Sequence, residues 1–436
     1  MIKLHNYIFY RIYNDTTVLY NTYLQTFYHF NDTVGIVLDY LKLGIQPIDI
    51  VKQMEDKYPN SSAEISDFVS EVISMLMSEK IIFDTLNASA TLEEHCVFDI
   101  SEKNNLFSVL FETTYRCNEK CKHCYVCNQS ENELTLEEIK VVFEDLRKLN
   151  VMNLVLTGGD VFCRNDFLDI FASAIDLGFA VDIYTNGVLC DDTKIVEIAR
   201  RHPRSIHFSI YSLDPQKHDD FTQVPGSFEK TISVAEKFRD LGVAVNFKTI
   251  LLEMNYNELT KIIDFARDFG ASVQIGTVLR QKQDGSNSPL SLRARNEIYE
   301  NVIFEISQKL NRSSNDIIQG RNLNSKVCGA GFTSISINPY GKVFPCGSLD
   351  IEIGDVRSSS IIDVWESSTE LKKWKSATWS MVEQCNKCEK ASVCAFCPGI
   401  ALQRNNNPLS KYDDACILTD ATIKYIKAKG GKQHVK

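Results

Sequence analysis

The sequence predicts an α/β protein on a parallel sheet, doubly wound or curved into a six-unit partial barrel. A small α+β unit precedes the sheet and a cysteine-rich segment follows it. Three observations predict this. Between residues 106 and 310, β-branched and aromatic runs alternate with amphipathic stretches six times, the signature of repeated strand–helix units. Before residue 90 the order is hairpin first, helices after. Beyond residue 325 the periodicity decays, and Cys, Gly and Pro take over.

The elements follow in order. Tyr7–Tyr13 and Thr17–Tyr20 read as strands parted by Asn14-Asp15, a hairpin signal. Val34, Val37, Leu38 and Leu41 share one helical face that stops at Gly44. Ile48, Val51 and Met54 make a second helix; Ile65, Phe68, Val69, Val72, Ile73 and Leu76 make a third. This order has a winged-helix flavour. Thr85–Glu94 is polar and small, as linkers are. We therefore expect a unit over 1–90, a linker over 91–105, a barrel over 106–310 and a cysteine-rich domain over 311–436. The barrel strands are read at Phe107–Glu112, Met152–Leu156, Ala180–Tyr184, Ser205–Tyr211, Ala244–Ile250 and Ser272–Val278. Helices are read between them, at Leu136–Leu149, Phe167–Leu177, Thr193–Arg201, Phe228–Leu241, Leu259–Phe269 and Leu292–Leu310. Chemistry belongs at the carboxyl ends of such strands.

Charge narrows the function. Among 436 residues, 47 Lys and Arg face 57 Asp and Glu, a net of −10. Nucleic-acid binders usually carry a basic stripe instead. The one basic run, Lys424 to Lys436, reads as a solvated, frayed end. No stretch of about 18 apolar residues is present, and the start has no signal-peptide layout. The expectation is a cytoplasmic protein with no membrane and no nucleic-acid partner. Fourteen cysteines in a reducing compartment then read as metal ligands and not as disulfides.

Cys117, Cys121 and Cys124 follow the first barrel strand at x3 and x2 spacing. Three thiolates on one tight loop suit an iron–sulfur cube with one iron left open. Zinc is the alternative, with Cys127 completing a set of four. The motif resembles the radical S-adenosylmethionine (SAM) superfamily. There, such a loop holds a reducible [4Fe–4S] cluster whose open iron binds SAM. Tyr125, next to Cys124, stands where that family keeps an aromatic. Thr157-Gly158-Gly159-Asp160, at the end of strand two, resembles the family's GGE, which implies that Gly158, Gly159 and Asp160 contact the SAM ammonium. Tyr184-Thr185-Asn186-Gly187 resembles TNG, which implicates Asn186. Ser209-Ile210-Tyr211-Ser212 resembles the stretch where a serine meets the ribose, and Ser209 is preferred over Ser212. Arg280, past strand six, is a candidate partner for the SAM carboxylate, since a guanidinium fork suits that group.

The second field holds Cys328, Gly341-x4-Cys346, Cys385-x2-Cys388-x5-Cys394-x2-Cys397 and Cys416. It resembles the SPASM extension of radical SAM enzymes, which carries two auxiliary [4Fe–4S] clusters. The family has three residues in the last short gap, where Ala395 and Phe396 are two. The resemblance assigns Cys385, Cys388, Cys394 and Cys416 to one complete cluster. It assigns Cys328, Cys346 and Cys397 to another with one iron unmet. Three [4Fe–4S] clusters plus SAM are therefore expected, with a zinc ribbon as the alternative for this field.

The first 85 residues resemble the PqqD-like peptide-recognition domain, through Tyr20-Asn21, Tyr28-His29-Phe30-Asn31 and Val51 to Tyr58. That domain implies a ribosomal precursor peptide whose leader adds a strand beside the hairpin. Residues 1–90 hold six Lys and Arg against eleven Asp and Glu, which suits a leader carrying Lys or Arg. The whole reads as a radical SAM oxidoreductase that matures such a peptide, forming a thioether crosslink and fed by flavodoxin or ferredoxin. A carbon–carbon crosslink, another SPASM maturase, and a non-catalytic iron–sulfur or zinc scaffold are the alternatives.

Overall fold

A computed structural model describes residues 2–5, 8–13, 15–21, 26–59, 62–84, 106–127, 132–310 and 321–428. Tyr7, Asn14, the linker over 85–105 and the tail beyond 428 lie outside the described residues.

The N-terminal unit opens with β1 (Ile2–Leu4), then β2 (Ile8–Tyr13), β3 (Thr16–Asn21) and β4 (Thr26–Asn31). The last three form one antiparallel sheet in the order β2-β3-β4. The sequence reading had only a hairpin; its Tyr28-His29-Phe30-Asn31 is a third strand, paired with β3 residue for residue. Helices α1 (Asp32–Lys42), α2 (Pro47–Lys57) and α3 (Ser62–Ser78) follow, then β5 (Ile82–Asp84), which pairs with β1. Asn31 caps α1 by accepting from the Val34 N–H, and Pro47 opens α2, where a missing N–H costs nothing.

The two faces of this sheet do different jobs. Ile8 and Leu19 pack with Val37, Leu38, Val69 and Leu76 from the helices. Tyr13, Val18 and Tyr20 pack instead on Met152 and Ala180, with Phe27 and Phe107 alongside. Those barrel residues stand at the amino ends of the strands, so the N-terminal unit covers the floor of the barrel. The Tyr13 hydroxyl donates to the Asn150 carbonyl there.

The barrel strands are β6 (Ser108–Thr114), β7 (Asn153–Gly158), β8 (Ala180–Thr185), β9 (Ser205–Ser209), β10 (Val245–Ile250) and β11 (Ser272–Gly276), each parallel to the next. Between them run α4 (Leu136–Lys148), α5 (Phe167–Asp176), α6 (Asp192–Arg200), α7 (Pro215–Thr222), α8 (Ser227–Asp240) and α9 (Leu259–Phe269). Helix α10 (Asn296–Lys309) follows β11. A full capping box, Thr135 with Glu138, starts α4. Helix α7 was not read from the sequence. Its polar run Gln216-Lys217-His218-Asp219-Asp220 hides the apolar face, yet Pro215 and the Asp214 cap start it.

The cysteine-rich tail is joined to the barrel sheet. Strand β12 (Ser334–Ile337) pairs in parallel with β6, and β13 (Lys342–Phe344) and β14 (Gly354–Asp355) continue outward. One nine-stranded sheet results, in the order β11-β10-β9-β8-β7-β6-β12-β13-β14. Helices α11 (Ile361–Ser367), α12 (Thr369–Lys375), α13 (Pro398–Asn405) and α14 (Asp413–Ala428) complete the segment. Its Trp374, Trp379, Phe396 and Ile400 share one core with Phe111, Phe143 and Phe208 of the barrel. Lys424 and Lys427 lie inside α14, not in a frayed tail. Among the described residues no helix is long and apolar enough to cross a membrane.

Candidate functional site

The loop after β6 carries Cys117, Cys121 and Cys124, all half-buried. Its shape is fixed from several sides. The Cys117 Sγ accepts from the Glu119 N–H at 3.4 Å and from the Asn186 amide at 3.8 Å. The Lys120 and Lys122 N–H groups donate to the Thr222 and Phe221 carbonyls at the end of α7, at 3.0 and 3.1 Å. Burial raises the Cys121 thiol pKa, and then Glu119, Cys117 and Cys124 raise it further. Cys117 and Cys124 thus neighbour Cys121 on a largely buried loop. A cationic cluster relieves that cost by taking them as thiolates. Cys127 neighbours Cys124, and Cys163, not singled out from spacing, neighbours Cys117.

Gly158 and Gly159 are required by close packing. A Cβ on Gly158 would run into the Thr114 carbonyl oxygen, and one on Gly159 into that of Arg116. The Gly159 N–H donates to the Thr114 carbonyl at 2.7 Å and the Asp160 N–H to that of Arg116 at 2.9 Å. The end of β7 is thereby welded to the root of the cysteine loop.

Asp160 is held by hydrogen bonds at the end of β7. Its side chain is 0% exposed. Its carboxylate accepts from the Thr185 hydroxyl at 2.6 Å, the Asn186 N–H at 2.8 Å and the Phe162 N–H at 2.9 Å. It is a brace between the ends of β7 and β8. A shorter acid than Glu ends inside this bracket. Asn186 extends the brace, donating to Asn118 at 2.9 Å. Ser209 ends β9 and hydrogen-bonds Tyr211. Ser212 is fully buried and donates to Glu258 at 2.5 Å, so of the two serines Ser209 is the more open.

Tyr125 and Arg280 are brought together. The guanidinium lies 4.2 Å from the Tyr125 ring centroid, and its Nε is buried without a partner. Glu112, which the sequence reading missed, completes the group. It accepts from the Tyr125 hydroxyl at 2.5 Å and the Tyr115 hydroxyl at 2.9 Å. Burial raises its pKa, while the two phenols and Arg280 pull it back down. The available signal was an acid inside the apolar run Val109-Leu110-Phe111. These residues wall a cavity of about 480 Å³ whose far side is Cys346, Gly347, Leu349 and Gln403. One cavity therefore touches both the first cysteine loop and the cysteine-rich tail.

Within the tail, the thiols separate into two neighbourhoods. Burial raises the Cys346 pKa first, with Cys328 and Cys397 adding. Around Cys385 the contributing thiols, after burial, are Cys394, Cys416 and Cys388. The Arg321 guanidinium donates to the Cys394 carbonyl at 2.6 Å and has Cys328 nearby. The Tyr412 hydroxyl receives the Cys397 N–H at 3.0 Å. Cys190 is packed in the barrel core. Among the described residues no three His, Cys, Asp or Glu side chains gather closely enough to hold a single metal ion. A cube demands less convergence than zinc, because each thiolate binds its own iron.

Residues 111–266 match the model of the radical SAM superfamily, and residues 328–389 match the SPASM iron–sulfur cluster-binding domain. This is a radical SAM enzyme with a SPASM domain. The AdoMet-dependent heme synthase of Methanosarcina barkeri is 25% identical over 315 residues, 66% of this chain and 90% of that protein. The subtilosin biosynthesis protein AlbA of Bacillus subtilis is 25% identical over 369 residues, 80% of this chain and 79% of its own. Among solved structures, Streptococcus suis SuiB bound to its precursor peptide SuiA superposes with a TM-score of 0.65 at 14% identity, over 95% of this chain and 100% of that one. A radical SAM domain works with a [4Fe–4S] cluster and SAM, and a SPASM domain binds further clusters. The half-buried thiols and the orphaned Arg280 Nε fit such groups.

Proposed function

We propose that this enzyme matures a ribosomally made precursor peptide, joining a cysteine sulfur to a carbon of the peptide core as a thioether. One observation carries the reading. The N-terminal sheet is clamped between its helices and the barrel floor, and β4 is left as an edge strand. An edge strand is a template for an extended peptide. Cofactor chemistry alone gives no reason for such a unit.

In this reading Cys117, Cys121 and Cys124 hold the cluster that engages SAM. Gly158 and Gly159 meet its ammonium through the main chain, Asn186 and Ser209 flank it, and Tyr125 steers Arg280 onto its carboxylate. Cys385, Cys388, Cys394 and Cys416 hold one auxiliary cluster, and Cys328, Cys346 and Cys397 hold the other with one iron open to the substrate thiolate. When bound there, SAM would supply the 5′-deoxyadenosyl radical chemistry that takes one hydrogen atom from the core. Closing the carbon–sulfur bond would release the thiol proton to solvent and one electron to the auxiliary clusters that the tail cysteines would hold, so the product is lighter by two hydrogens. Glu112 orients Tyr125 and neutralises Arg280, and the shared cavity admits the core between the two cysteine fields.

The leader sits over 1–90, at the amino ends of the strands, while the thiols lie at the carboxyl ends. Strands of six residues are about 20 Å long, so at least roughly six extended residues must separate leader and core. The enzyme would work in the cytoplasm with flavodoxin or ferredoxin as donor.

The test is anaerobic reconstitution with iron and sulfide, then SAM, dithionite and short peptides encoded beside the gene. A peptide lighter by two hydrogens, with its cysteine thiol lost, is expected alongside 5′-deoxyadenosine. Zinc without iron in anaerobically purified protein would refute the reading. A Cys→Ser peptide that is crosslinked as before would leave peptide maturation standing and remove the thioether.

A further inference from the structure

The N-terminal unit and the barrel enclose a cavity of about 530 Å³ where β2 and the end of α1 meet α4 and α5. Four of its lining residues, Lys3, Arg11, Lys42 and Arg147, are cationic. The one carboxylate in the lining, Asp176, lies 3.1 Å from Arg201. Among the described residues none of the four cations forms an ion pair with a carboxylate.

Arg11 is the most constrained. It is 5% exposed. Its terminal nitrogens donate to the carbonyls of Tyr10, Leu177 and Gly178 at 2.9, 3.1 and 3.2 Å. Its Nε is buried with no partner. Burial first, and then the nearby Arg147 guanidinium, lower the Arg11 pKa to about 10. Two guanidiniums lining one cavity without a counter-ion are costly. An oxyanion in the cavity that both line relieves that repulsion.

The wall of the cavity says what carries that oxyanion. Ile8, Phe9, Tyr10 and Arg11 are consecutive in β2 and all line it. Successive strand residues face opposite sides, so a wall of four in a row is the strand's edge and not its face. β2 is an outer strand of its sheet. That edge is partly used already, its Ile8 N–H by the His5 carbonyl at 3.1 Å and its Tyr10 carbonyl by Arg11; what remains of it offers main-chain hydrogen bonds to an extended chain.

We propose that this junction is a binding site for an acidic peptide segment laid along the β2 edge, its carboxylates taken by Arg11, Arg147, Lys42 and Lys3. The site is distinct from the β4 edge and does not depend on which reaction the enzyme performs. Its occupant would bridge two units and hold the N-terminal unit on the barrel floor.

The experiment titrates the purified full chain, without SAM, at low salt, with acetylated tetraglutamate amide and separately with inorganic phosphate. Tetraglutamate is expected to bind and to raise the melting temperature. Arg147→Gln and Lys42→Gln should each weaken it by about tenfold, because both side chains reach the cavity from positions open to solvent, Lys42 exposed and Arg147 half-buried. Arg239→Gln, on α8 and paired with Asp240, should leave binding unchanged. Arg11→Gln is a poorer probe, since it also uncaps three carbonyls. Phosphate should bind more weakly, because it cannot use the strand edge. Phosphate binding as tightly as the peptide would overturn the peptide assignment. No binding by either probe, or binding indifferent to Arg147→Gln and Lys42→Gln together, would overturn the site.

Discussion

Glu112 shows what one side chain does at this site. It stands inside a strand, accepts two phenol hydrogen bonds and faces Arg280. Arg280 is thus held beside the cavity with its Nε still unpartnered. Arg280→Gln is expected to weaken SAM binding by roughly tenfold to a hundredfold, the worth of a charge-assisted pair, while iron content stays constant. Equilibrium dialysis with labelled SAM and an iron assay separate the two. Replacing Cys117, Cys121 and Cys124 together by alanine should remove about four of about twelve irons and stop 5′-deoxyadenosine release. Loss of every iron would show that the tail clusters depend on the first. The spacing made these cysteines legible. Glu112 was not, because an acid in a strand reads as solvent-facing until its neighbours are known.

At the level of elements, the site is a set of strand ends pinned to one another. Gly158→Ala drives a Cβ into the Thr114 carbonyl, in backbone with φ of +138°. The cost is about 2 kcal/mol or more, and lower iron loading together with a lower melting temperature should report it. Arg357 makes a second seam, between the turn after β14 and the start of α4. Its guanidinium bonds Glu138 at 2.8 Å and the carbonyls of Asn132 and Glu133 at 3.0 and 3.1 Å. That hydrogen bonding lowers the Glu138 pKa to about 2. The folded value lies below the unfolded one, so this stabilisation is present above about pH 4.5 and fades as the pH falls toward 2. Both groups are partly exposed, so the seam contributes about 1 kcal/mol or less. Glu138→Gln should therefore lower stability at pH 7 and flatten its decline between pH 5 and 2, measured by urea titration. Periodicity placed α4, α5, α6, α8 and α9 to within a residue, while α10 starts four residues later than read. It missed α7, whose end anchors the cysteine loop, because a polar helix capped by Asp214 looks like a loop in one dimension.

For the whole molecule, the decisive feature is that three segments share two interfaces. The tail strands join the barrel sheet through β12, and the N-terminal sheet covers Phe107, Met152 and Ala180. Deleting residues 1–90 exposes that apolar floor. The truncated protein is expected to melt lower and aggregate sooner, seen by calorimetry and light scattering. SAM cleavage per iron should survive in the soluble fraction, because every cysteine of both fields lies outside the deletion. An equally soluble truncation would mean that the floor contacts contribute little. The charge of the N-terminal unit also looks different in three dimensions. A net of −5 over residues 1–90 suggested an acidic face, yet three of its six cations collect at the barrel junction.

The sequence by itself determined the strand–helix alternation, the two cysteine fields and the glycines at the end of the second strand. Each follows from short-range rules of periodicity, ligand spacing and backbone clearance. Only the tertiary structure decided that Asp160 turns inward, that Tyr125 meets Arg280 over Glu112, that the tail extends the barrel sheet, and that Lys3, Arg11 and Lys42 converge with Arg147. Those facts depend on which buried donors and acceptors find each other after distant segments pack, and no local pattern in the chain encodes that choice.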